Sequence, residues 1–88
     1  MRERLLEEYL VRRVTQAGGE IRKVQWIGRR GAPDRVVMLP GGKLIWVEMK
    51  SPGQKPEPHQ AREHTRLQAV GQDVRVVDSL EDIDAQLL

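Results

Sequence analysis

A small mixed α/β domain with elements in the order α-β-β-β-α-β-α is what this 88-residue chain predicts. Three observations carry the prediction. Apolar residues recur at every fourth position near the start, at Leu6, Leu10 and Val14, the period of an amphipathic helix. Two strand-like runs, DRVVML and KLIWVEMK, flank Pro40-Gly41-Gly42, which reads as a hairpin turn. A second helical segment leads into the β-rich run DVRVV, so a helical crossover adds one more strand to the sheet.

Taken in order, the first helix is expected over roughly Arg2 to Ala17, with Leu5, Tyr9 and Val11 widening its stripe and Gly18-Gly19 ending it. Glu20 to Ile27 alternates apolar and polar residues and predicts the first strand. Gly28-Arg29-Arg30-Gly31-Ala32-Pro33 is a loop. Asp34 to Leu39 forms the second strand and Lys43 to Lys50 the third, whose near-continuous apolar core predicts a central position. Ser51 to Pro58, with three prolines and a glycine, is a loop. Pro58 or His59 opens a helix that runs to about Val70, with Gly71 as its stop. Asp73 to Val77 is the fourth strand, and Ser79 caps a short last helix with Asp82 as its capping-box partner.

Composition narrows the function classes. There is no cysteine, so disulfides are excluded, as suits an intracellular protein. No apolar run approaches the roughly 20 residues that span a bilayer, and the start, MRERLLEEYLVRR, has no apolar signal-peptide region. The expectation is one soluble, cytoplasmic domain over residues 1–88, small enough that oligomerisation would help its stability. The net charge of +2 is unevenly spread. Residues 73–88 hold five acids and one base, while the other 72 residues hold fourteen bases and eight acids. A basic body rich in arginine with an acidic tail suits a polyanionic partner, although a mixed charged surface also suits any soluble domain.

The chemistry-bearing residues lie on the central strands. Residues two apart on a strand share a face, roughly 6.6 Å apart, so Glu48 and Lys50 point the same way, with Trp46 and Leu44. Read alone, that pair is an ordinary ion pair at a strand end. Asp34 changes the reading: it lies six residues before Pro40 and Glu48 six after Gly42, which sets the two carboxylates nearly opposite each other. Like charges across a sheet are destabilising, and a divalent cation held by both oxygens explains why both are kept. A lysine beside them can orient water or neutralise charge on a phosphate.

Pro33-Asp34 with Glu48-Met49-Lys50 resembles the PD-(D/E)XK signature of restriction-endonuclease-like nucleases, whose core has the same element order. More narrowly, Gly18-Gly19, Gly31-Ala32-Pro33-Asp34-Arg35, Gly41-Gly42, Val47-Glu48-Met49-Lys50 and Gln60 resemble the virus-type replication-repair nuclease (VRR-NUC) group along nearly the whole chain. The resemblance implies Asp34, Glu48 and the Met49 backbone carbonyl as ligands of Mg²⁺ or Mn²⁺, and Lys50 as the residue that positions water or stabilises the pentacovalent phosphate. It also implies a glutamate on the first helix, for which Glu7 is chosen because it borders the buried stripe; the plain alternative is a solvated carboxylate paired with an arginine. Gln60 would hold the site loop or a phosphate, or be an ordinary first-turn residue. The family often has serine three residues earlier, where this chain has Glu57.

Arg29 and Arg30 are the first candidates for gripping DNA phosphates, with Lys23, Arg35, Lys55 and Arg62 behind them. Trp26 and Trp46 are expected in the core or an interface. His59 and His64 lack partners at metal-ligand spacing and are read as inert surface residues. The resemblance implies a metal-dependent DNA endonuclease leaving 5′-phosphate and 3′-hydroxyl ends. Short stand-alone members resemble phage or bacterial four-way (Holliday) junction resolvases, which with the small size points to a homodimer on branched DNA, with replication or repair proteins as further partners. A flap or single-strand nuclease, an idle DNA-binding module, and a subunit docking a partner through its acidic tail are the alternatives.

Overall fold

The computed structural model describes residues 3–87, so the Arg2 start expected for the first helix lies outside the described residues. Helix α1 (Glu3–Gln16) buries Leu6, Leu10 and Val14. It ends in a Schellman turn: Gly19 N–H donates to the Val14 carbonyl and Gly18 N–H to Thr15, with Gly18 at φ 80°. Gly19 is needed for a different reason. A Cβ there would lie 2.7 Å from the Met38 carbonyl oxygen, so its absence lets the turn rest directly on the sheet.

Strands β1 (Glu20–Lys23), β2 (Arg35–Leu39), β3 (Lys43–Met49) and β4 (Asp73–Val77) form one sheet in that order. The first three are antiparallel; β4 runs parallel to β3, reached through helix α2 (Pro58–Ala69) and followed by α3 (Leu80–Leu87). The expected element order and the central place of β3 are both present. Val37, Ile45, Val47, Met49 and Val77 pack with the buried residues of α1 and with Ile83 and Leu87 of α3. Alternation along β3 then sends Trp46 and Glu48 to the opposite face, where α2 lies.

The extent of one strand is corrected. The first strand stops at Lys23 rather than Ile27. Its last ladder partner is Arg35, and after the Val24 N–H bond to the Asp34 carbonyl the opposing chain reaches Pro33, which has no N–H to offer. Ile27 is consequently fully exposed. The acidic C-terminal segment forms β4 and α3 as expected, with Asp73 paired to Arg75 and Asp84 to Arg13. Ser79 does cap α3, accepting the Asp82 N–H at 3.0 Å, but the Asp82 carboxylate turns back to the Asp78 N–H. Trp26 and Trp46 are half-buried and pack edge to face, centroids 6.4 Å apart.

Candidate active site

The register of β2 on β3 pairs Arg35 with Val47, and its continuation by one residue sets Asp34 across from Glu48, as the counting from the turn requires. Asp34 is tied down there by the Met49 N–H, which donates to its Oδ2 at 2.8 Å. This bond crosses from one strand end to the other and makes the Asp34 position a property of the β3 backbone. Lys50 continues β3 through its own N–H to the Val77 carbonyl, and its Nζ stands 3.5 Å from Glu48 Oε2.

Glu48 is 1% exposed. Its Oε2 accepts from Gln60 Nε2 at 2.9 Å, while Gln60 Oε1 accepts the Glu57 N–H at 2.8 Å. One amide thus closes the N-terminal turn of α2 and orients the buried carboxylate, a capping arrangement that works with Glu57 in place of the expected serine. The other oxygen, Oε1, is buried without a hydrogen-bond partner among the described residues. Burial, and next the charge of Asp34, push the Glu48 carboxyl up to about 7, against a smaller opposing pull from Lys50. A buried carboxylate with one oxygen unsatisfied and a second carboxylate opposite fits a hard divalent cation.

These groups open into a cavity of about 410 Å³ lined by Glu7, Lys23, Asp34, Arg35, Glu48, Met49, Lys50 and Gln60, together with Glu3 and Val24. Eight of the residues singled out in the sequence therefore share one cavity. Glu7 reaches it from α1 paired with Arg35. Arg35 is 7% exposed, and burial lowers its pKa from the usual arginine value. No three acidic, histidine or cysteine side chains converge as a metal-binding group among the described residues.

The remaining predicted contacts lie elsewhere. Lys55 is exposed in the loop before α2. Arg29, Arg30 and Arg62 line a separate cavity with His59, Glu63 and Arg66. Glu63 and Arg66 went unremarked in the sequence, although the spacing of 59, 62, 63 and 66 marks one helical face. The reading of His64 as a surface residue is corrected: it is 6% exposed, with Nε2 buried and without a hydrogen-bond partner among the described residues. Burial, then the charge of Lys50, lower its pKa from the usual histidine value. Its place one turn after Gln60 was the available signal.

Over 79 residues the chain is 53% identical to "Putative nuclease p44" of Acyrthosiphon pisum secondary endosymbiont phage 1, covering 90% of this chain and 85% of that protein. A solved structure described as "VRR_NUC domain" superposes with a TM-score of 0.90 at 42% identity, covering 94% of this chain and 90% of the other. No protein-family model matches the chain.

Proposed function

The chain belongs to the VRR-NUC family of nucleases, and from that premise we propose that it is a divalent-metal-dependent DNA endonuclease acting as a homodimer on branched DNA such as four-way junctions. The observation that carries the reading is the buried Glu48, one oxygen unsatisfied, facing Asp34 and bonded to Gln60 and Lys50.

Asp34, Glu48 and the Met49 carbonyl would hold Mg²⁺ or Mn²⁺, which when bound polarises the phosphoryl oxygen and stabilises the leaving oxygen. The protein's own contribution is to hold these groups ready. The Met49 N–H keeps Asp34 at the strand end, and the Gln60 amide turns Glu48 so that Oε1 faces outward from that bond. Lys50, 15% exposed at its side chain, can direct a water toward phosphorus and neutralise charge that develops on the phosphate. Glu7 enters as a further carboxylate of the cavity, paired with Arg35. Lys23 at the cavity wall and Lys55 in the loop before α2 would meet flanking phosphates.

A pair of sites related by a two-fold axis suits a symmetric junction, and two copies of so small a chain would double the DNA surface. No helix among the described residues is long and apolar enough to cross a membrane, and the host-cell cytoplasm, with replication or repair proteins as partners, is the setting this reading implies. The test is a cleavage assay with Mg²⁺ or Mn²⁺ on a four-way junction, a flap, a linear duplex and single strands. Asp34→Asn, Lys50→Ala and EDTA serve as controls. Paired symmetric nicks in the junction, lost in all three controls, are expected. Binding to every substrate with no metal-dependent cutting refutes the enzyme, and preferential flap cutting refutes the junction preference.

A further inference from the structure

The second cavity, about 250 Å³, is lined by Arg29, Arg30, His59, Arg62, Glu63 and Arg66, and the chemistry above leaves it unused. Four guanidinium groups meet there with a single carboxylate. The Glu63 side chain is only 5% exposed, whereas those of Arg29 and Arg66, which it binds, are 54% and 56% exposed. Glu63 is therefore the floor of the cavity and the arginines its walls. Arg29 engages it through Nε and Nη2 at 2.8 and 2.9 Å, and Arg66 through Nη1 at 2.9 Å. A guanidinium has five N–H donors, so most of the donors on both arginines stay free while their planes are fixed.

Arg30 reaches His59 Nδ1 at 3.2 Å, and Arg62 borders the same space. One buried carboxylate needs at most two arginines. Bringing two more beside them adds like-charge repulsion, which an anion from outside would relieve. The docking of the loop on α2 is itself built in. Gly31 has φ +95°, and a Cβ there would come within 3.1 Å of both Glu63 Cβ and the His59 carbonyl oxygen.

We propose that this cleft is a second phosphate site, taking a backbone phosphate of the nucleic-acid strand as it runs on from the bond to be cut. The inference rests on the nuclease reading and carries it further, to how the strand is positioned. Helix α2 serves both places: Gln60 orients Glu48, and the face at residues 59, 62, 63 and 66 forms one wall of the cleft. Only four residues separate Arg29 from Asp34 along the chain. A strand gripped in the cleft is thus held by the same rigid helix and short loop that place the carboxylates, which sets its register on the active site.

The experiment uses the Asp34→Asn protein in EDTA, where nothing is cut, and follows binding of a fluorescent DNA strand over a series of salt concentrations. Arg30→Ala with Arg62→Ala is expected to weaken binding on the order of tenfold and to reduce the salt slope by roughly 0.7–0.9, one phosphate contact. Arg22→Ala with Lys43→Ala removes the same charge elsewhere, and an equal effect from that pair overturns the site. Glu63→Gln removes a negative charge while releasing Arg29 and Arg66. Weaker binding supports a fixed cradle, and tighter binding overturns it. Inorganic phosphate at the concentration of nucleotide phosphate should not displace the strand; if it does, the cleft is a free-anion site. Cleavage is scored separately on the wild type. Cutting with an unchanged slope sinks the cleft alone, whereas a reduced slope in a protein that cuts nothing keeps the cleft and sinks the nuclease reading.

Discussion

Glu48→Gln should stabilise the metal-free protein at alkaline pH while abolishing cleavage, because the carboxylate that the chemistry requires is one that the fold ionises reluctantly. The Glu48 carboxyl is pushed up to about 7 from an ordinary 4.5. A raised folded-state pKa means that the folded protein binds this proton more tightly than the unfolded chain, so this group's contribution to stability falls as pH rises from about 4.5 through 7. At 1.36 kcal/mol per pKa unit the full cost above pH 8 is about 3 kcal/mol. Glutamine resembles the protonated carboxyl in shape and carries no such penalty. In EDTA the variant should match the wild type only at about pH 4 and below, and exceed it by about 3 kcal/mol at pH 8.5, more than roughly 10 °C in Tm for a domain of this size. Thermal unfolding followed by circular dichroism across that pH range is the assay. Saturating Mg²⁺ should close most of the gap by stabilising only the wild type, by about 2.7 kcal/mol at a hundred times Kd. A stability difference that does not change with pH, or a variant less stable than the wild type at pH 8.5, refutes the reasoning.

Three other substitutions separate the contributions. Lys50→Ala is expected to lower kcat by roughly 10²–10³-fold while leaving DNA binding in EDTA nearly unchanged, measured by gel cleavage and anisotropy on the same substrate. Gln60→Ala removes both the Glu48 contact and the acceptor for the Glu57 N–H; activity should drop roughly 10–100-fold and stability by about 1 kcal/mol, with half-saturation by Mg²⁺ moved to higher concentration in a titration of cleavage rate. Gly19→Ala places a Cβ 2.7 Å from the Met38 carbonyl oxygen and should cost roughly 1–3 kcal/mol in urea unfolding, without moving the metal dependence of any activity that survives.

Much of the fold could be read from the chain because its signals are local. The fourfold spacing of Leu6, Leu10 and Val14, the Gly41-Gly42 turn and the glycine at the end of α1 each act within a few residues, and each is where it was expected. Counting from the turn also placed Asp34 against Glu48, since an antiparallel register passes unchanged from the hairpin to the strand ends. What failed was long-range. Strand β1 was extended to Ile27 because alternation persists there, but a strand needs a partner, and Pro33 ends the partner. His64 was read as a surface residue because its burial depends on packing between elements far apart in the chain.

By itself, then, the sequence determined the order of the elements, the strand pair and the residues that meet at its end, because periodicity and turn chemistry are written into short stretches of chain. Only the tertiary structure decided which charges are free. It paired Glu7 with Arg35, drew Arg29 and Arg66 onto Glu63, buried His64 and left Glu48 Oε1 without a partner among the described residues. Those outcomes depend on which side chains packing removes from water and which partners it brings within hydrogen-bond reach. Residues far apart in the chain settle both, and no local pattern records them.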